Sequence, residues 1–190
     1  MARQLLLVIL LTVSAMPVWS DYVIGTCTIR EPTPPATECY YANLDYADLT
    51  NADLTNAQLA HTSFAYADLT NANLDHAFLY GASPGYANLT NANLNRANLT
   101  FANLTFANLT NADLYGAGLE GANLTNANLT FANLYGARLN GANLTNANLS
   151  GAILSGANLT NANLTGVTGL IFLMDGIYKG STIKDGASVQ

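Results

Sequence analysis

Ala92-Asn93-Leu94-Asn95-Arg96, Ala97-Asn98-Leu99-Thr100-Phe101 and Ala102-Asn103-Leu104-Thr105-Phe106 are three consecutive copies of one five-residue unit, A-(N/D)-L-x-x. The frame continues without a break on both sides. From Leu44 to Leu164 every fifth residue is leucine apart from Phe64 and Pro84, and the residue two before it is alanine except at Thr62. Counting centres, (164 − 44)/5 + 1 gives 25 copies, which cover 42–166 of the 190 residues. Repetition at a short fixed period marks a solenoid, whose units stack because none can bury its apolar face alone. A helix would space its apolar residues by three and four and a plain strand by two, so a period of five requires the chain to turn within every unit. Leucine and alanine two apart then share an interior, as in a strand. The remaining slots carry Asn, Asp, Thr, Ser, Tyr and Gly, which suit an exterior and its turns.

These units resemble the repeats of the pentapeptide-repeat family. The resemblance implies an all-β fold, a right-handed quadrilateral β-helix with four units and hence 20 residues per coil, about six coils in all, and capped ends. At ~4.8 Å per coil the solenoid would be roughly 29 Å long. Each of the 23 leucines at repeat centres would contribute ~1.5–3 kcal/mol on full burial, against ~1–2 kcal/mol of backbone entropy per ordered residue. The family includes topoisomerase-binding DNA mimics, lumenal or periplasmic proteins and members without an assigned role, so the resemblance bears on fold far more than on activity.

The flanks lie outside the repeat. Residues 1–20 read as a secretory signal peptide, with Met1-Ala2-Arg3-Gln4, an apolar stretch from Leu5 to Val13, and Pro17-Val18-Trp19-Ser20 before Asp21. That stretch falls short of the ~20 residues a transmembrane helix needs, so no membrane span is expected after cleavage. Residues 21–41 read as an N-terminal cap holding both cysteines, Cys27 and Cys39. In an exported chain two cysteines suggest one disulfide. Cys39 also falls in frame, five before Leu44, so it would take the interior position of an incomplete first unit. The alternative is acylation of Cys27 in Ile24-Gly25-Thr26-Cys27, which lies well past the apolar stretch. Residues 167–190 read as a C-terminal cap or tail, in which Leu170-Ile171-Phe172-Leu173-Met174 would cover the last coil or make a homodimer contact.

Stacking by 20 turns the exterior into columns. Thr50, Thr70, Thr90, Thr110, Thr130 and Ser150 form a hydroxyl column beside Asp48, Asp68, Asn88, Asn108, Asn128 and Asn148, with Asn51, Asn71, Asn91 and Asn111 beyond it. Such ladders can hydrogen-bond along the stack, as Asn ladders do in cross-β structure. Tyr46, Tyr66, Tyr86 and Phe106 form an aromatic column, and Tyr115 and Tyr135 a shorter one. Stacked aromatic pairs add ~0.5–1.5 kcal/mol each. Pro84 brings no N–H to a ladder and is expected only at an edge, bulge or turn. Phe64 lies one coil earlier, so its ring would offset the volume missing at Pro84. Ten N-L-T or N-L-S sequons, at Asn88, Asn98, Asn103, Asn108, Asn123, Asn128, Asn143, Asn148, Asn158 and Asn163, follow from the repeat itself.

No catalytic constellation stands out, and no cofactor, metal or enzymatic activity is expected. His61 and His76 fall on different faces without a second metal ligand nearby. Asp45, Asp48 and Asp68 make a weakly acidic end that reads as solvated. There is no phosphate-cradling loop and no basic patch for nucleic acid. Without residues 1–20 the chain has 12 acidic and 5 basic residues, a net of −7. Asn nevertheless fills most outward slots where a phosphate mimic would carry Asp or Glu, and export would separate the chain from a topoisomerase. The sequence therefore reads as an exported, secreted or periplasmic, non-enzymatic module that binds a protein partner through its Asn- and Thr-rich faces. The thylakoid lumen is the equivalent address in a photosynthetic source. The runner-up is a surface or ligand binder, for carbohydrate, cation or ice, that uses the Thr or Tyr column.

Overall fold

In the computed structural model, residues 22–24, 27–29 and 38–169 are described. The expected signal peptide, most of the expected N-terminal cap, the side chain of Cys27 and the apolar run Leu170 to Met174 lie outside these residues. Strands β1 (Tyr22–Ile24) and β2 (Cys27–Ile29) pair antiparallel, with Tyr22 opposite Ile29 and Ile24 opposite Cys27. The remainder is a right-handed four-sided β-helix. Its parallel bridges join residues 20 apart, from Glu38 with Gln58 to Asn148 with Thr168. Pairing thus reaches one partial unit beyond the repeat at each end. Cys39 takes a leucine slot and Val167 an alanine slot, both fully buried.

One unit explains the rest. The N–H of Ala47 donates to the C=O of Leu44 at 3.1 Å, closing a four-residue turn in which Tyr46 has φ 60°. A positive φ at the third turn residue is the mark of a type II turn. The same slot has positive φ in every other unit, and Asn or Gly fills most of these slots, the residues that tolerate that conformation best. Between turns, the N–H of Leu49 donates to the C=O of Asp68 at 2.7 Å, that of Asn51 to Thr70 at 2.9 Å, and Ala47 accepts from the N–H of Asp68 at 2.9 Å. Three inter-coil bonds per face recur along the stack and satisfy the backbone. Leucine and alanine point inward into one continuous core.

Faces are named by their centres: face 1 holds Leu44, face 2 Leu49, face 3 Leu54 and face 4 Leu59. Pro84 is buried in face 1 as the first residue of a turn, its C=O accepting from the N–H of Ala87 at 3.2 Å. Its missing N–H removes the bond to Asn103 and with it the bridge between Ser83 and Asn103. The neighbouring bonds hold, Asn103 to Ala82 at 2.8 Å and Tyr86 to Thr105 at 2.9 Å. The interior tolerates proline here because a central N–H supplies one of three inter-coil bonds and the turn uses only the C=O of that residue. Phe64 and Pro84 line the same small cavity, about 10 Å³, together with Leu69, Leu74 and Leu79. The ring fills most of the missing volume and leaves room for about one water.

Candidate interaction face

Face 2 is built from a local motif. Asn88 accepts the N–H of Thr90 at 3.3 Å and its hydroxyl at 2.6 Å, both through Oδ1. Short polar side chains make such bonds to the backbone two residues on, which fixes the turn. The amide then links coils. Asn108 Nδ2 donates to Thr90 Oγ1 at 2.9 Å and to Asn88 Oδ1 at 3.3 Å. Asn128 repeats the pattern on Thr110, and Asn148 on Thr130. The ladder therefore runs unbroken from Asp68 and Thr70 to Asn148 and Ser150.

Two properties follow that the columns alone do not reveal. First, each Thr hydroxyl from Thr70 to Thr130 spends its proton on its own unit and accepts from the next coil. The column is a half-buried structural seam and not a row of free hydroxyls. Second, the ladder has a direction, since every amide in the face 2 columns donates toward the N-terminus. A carboxylate can accept but never donate, so it fits the start of a column. Asp48 and Asp68 begin face 2, and Asp53 begins face 3, accepting from Asn73 at 3.5 Å. The Thr50 hydroxyl and N–H hold the Asp48 carboxyl below the usual carboxylate range. Asp113, in mid-column, accepts from Asn133 at 2.9 Å, and Asn95, in the preceding coil, donates forward to its second oxygen at 3.1 Å. What face 2 offers to solvent is the exposed corner amides, with Asn71 donating to Asn51 at 3.2 Å and Asn91 to Asn71 at 3.1 Å.

The aromatic column stands at the corner of faces 1 and 2. Tyr46, Tyr66, Tyr86 and Phe106 stack with centroids 4.9–5.2 Å apart and planes within 16° of parallel. The rings cover one another's faces, leaving edges and phenol oxygens outward. Stacking offsets the left-handed backbone that each ring residue adopts. Tyr115 and Tyr135 pair in the same way on face 3, 5.5 Å apart.

Face 4 carries a second aromatic group that the column reading passed over. Tyr41 stacks on His61 at 4.9 Å, and Tyr80 meets His61 and Phe101 edge-on at 5.6 and 5.7 Å. The signal was present as glycine: His61 lies over Gly81 and Phe101 over Gly121, as Phe131 lies over Gly151 at the face 2 corner, where a Cβ would come within 2.4–2.6 Å of the ring. Glu120 pairs with Arg138 and accepts from the Thr100 hydroxyl at 3.1 Å. Burial raises the Glu120 pKa, but the Arg138 hydrogen bond and charge outweigh it and leave it lowered. Gly118 makes room for this pair, since a Cβ there would meet both partners within 3 Å. His76 contacts its neighbour Asp75 at 2.9 Å. Among the described residues no His, Cys, Asp or Glu cluster could hold a metal, no helix is long and apolar enough to cross a membrane, and no buried side-chain polar atom lacks a partner.

Known proteins were compared with this chain. No curated protein matches it in sequence. QnrB1, a plasmid-mediated fluoroquinolone resistance protein in trypsin-treated form, superposes with a TM-score of 0.66 at 19% identity over 77% of this chain and 84% of its own, a likeness of fold. A pentapeptide repeat protein from the Arabidopsis thaliana thylakoid lumen is 32% identical, with a TM-score of 0.45 over 46% of this chain and 61% of its own length. HetL from the cyanobacterium Nostoc sp. strain PCC 7120, a pentapeptide repeat protein involved in heterocyst differentiation regulation, is 30% identical, with a TM-score of 0.28 over 79% of this chain and 84% of its own. The family model for pentapeptide repeats matches in 8 copies at 42–81, 86–121, 107–146 and 127–166, interrupted only around Pro84. The chain belongs to the pentapeptide-repeat family.

Proposed function

We propose that this protein is an exported, non-enzymatic module that presents a rigid, amide-lined face to a protein partner. The observation that carries the reading is the corner column of Asn51, Asn71, Asn91 and Asn111. These amides are exposed and evenly spaced, and Asn51, Asn71 and Asn91 are hydrogen-bonded side chain to side chain along the column. Groups held in position before binding lose less entropy when a partner docks. The committed Thr hydroxyls and mutually covered Tyr faces favour this reading over a carbohydrate or ice binder. Asn in most outward slots weighs against a phosphate mimic and hence against topoisomerase binding. Export rests on the signal-like residues 1–20 and on a Cys27–Cys39 bridge, which we include in the proposal because Cys39 is buried at the first centre and is not a free thiol.

The test is capture of partners by residues 21–190 from the exported compartment of the source cell, compared with an Asn71→Arg, Asn91→Arg variant. Arg96 already occupies the same slot at another corner with positive φ, so the variant is expected to fold. A protein bound by the native chain, with affinity reduced at least ~10-fold in the variant once both are purified, supports the reading. Equal binding by both would remove face 2 from it, and binding by neither would remove the partner.

A further inference from the structure

The last coil is open on one face. Leu149, Leu159 and Leu164 are at most 1% exposed, whereas Ala152 and Leu154 are only partly buried and Ile153 is 51% exposed. In every earlier coil of face 3 the central N–H, the corner N–H and the alanine C=O bond to the following coil. Among the described residues the corresponding groups of Leu154, Gly156 and Ala152 have no such partner. An unpaired strand edge beside exposed apolar side chains is a template for another strand.

The sequence beyond Gly169 supplies one in frame. The pattern carries the central N–H to the C=O 19 residues on, as Leu134 to Ile153, and the corner N–H likewise, as Gly136 to Ser155. It returns the following coil's N–H to the alanine C=O 21 residues back, as Ile153 to Ala132. Continued by one coil, the same pattern would pair Leu154 with the C=O of Leu173, Gly156 with that of Asp175, and Ala152 with the N–H of Leu173. In that register Met174 takes a leucine slot, Asp175 a Thr or Asp slot, and Gly176 the corner slot that has positive φ in every other unit. Phe172 takes an alanine slot, too small for it inside the stack, but no further coil stands above it and its ring can fold over the open end.

The chain length also fits. Gly169 stands at a centre on face 2, and Leu170 and Ile171 are the two residues that lead from any centre to the next alanine slot. Gly169 itself has φ 74° and approaches Ser150 so closely that a Cβ would lie 2.3 Å from its backbone nitrogen. No other centre among the described residues has positive φ.

We propose that Phe172-Leu173-Met174-Asp175-Gly176 docks as a further repeat unit on the open face 3 edge at 151–156. The proposal is independent of the partner-binding reading. Amide hydrogen exchange at Leu154 and Gly156 in the full chain, measured by NMR at two protein concentrations, tests it. The expected result is exchange slowed at least ~10-fold at both amides, unchanged on dilution, lost in Met174→Asp and retained in Lys184→Ala. Unprotected amides would overturn the proposal, as would protection that falls on dilution, which would mean a second copy on the edge. Protection that survives Met174→Asp would overturn the register.

Discussion

The turn slot is where single residues decide most. Gly121 and Gly141 both have positive φ, but Phe101 covers Gly121 whereas nothing lies within 4 Å of a Cβ at Gly141. Gly141→Ala should therefore cost only the left-handed backbone, about 1–2 kcal/mol, and Gly121→Ala roughly 1–3 kcal/mol more for overpacking. Urea unfolding of the two variants measures the difference, and equal losses would mean that the ring swings away freely. Glu120 gives the acid response. Its folded pKa lies below the ordinary value of 4.5, so its pair with Arg138 stabilises fully above about pH 4.5 and is lost as pH falls through the lowered value. Glu120→Gln should flatten part of the acid limb of a stability curve taken between pH 7 and 3; an unchanged curve would assign that limb to other carboxylates. The glycine pattern was legible once the columns were drawn, because rings and glycines alternate by 20. The Glu120–Arg138 pair was not, since two charged residues 18 apart are neighbours only after the faces are folded.

Among elements, the amide ladder has a direction that its composition conceals. Asn108 donates to Thr90 and Asn88 and accepts from Thr110 and Asn128. Asn108→Asp keeps the accepting oxygen and removes the donor, so it should cost about 1–2 kcal/mol. Asp48→Asn, at the start of the same column, should stay within about 0.5 kcal/mol of the parent. Thermal melts of both variants provide the check, and similar losses would show that the direction is immaterial. Sequence reading placed these residues in adjacent columns and anticipated hydrogen bonding along them. It could not assign donors, because Asn presents an oxygen and a nitrogen and the choice is fixed by the preceding coil. For the same reason the hydroxyl column looked available to a ligand, although its protons are already spent. Pro84 was legible as a defect, while its place inside a face followed from bond geometry that only the coil supplies.

For the whole molecule, stability should behave as a sum over coils and their interfaces. Deleting 107–126 removes one full coil and keeps every column in register, so the shortened chain should remain folded with one cooperative melt at a lower temperature. Deleting only 107–111 moves each later unit onto the neighbouring face, breaks the ladders at that seam, and should lower the melting temperature further although fewer residues are lost. Circular dichroism melts compare the two, and a larger loss from the 20-residue deletion would mean that the exterior ladders add little to the leucine core. The direction of the amide ladder has a temporal meaning as well. A chain is made from its N-terminus, so each coil that emerges brings amide donors to acceptors already set in the coil before it. Asp48 and Asp53 open their columns without waiting for a predecessor, and the solenoid can be read out in the order in which it is synthesised.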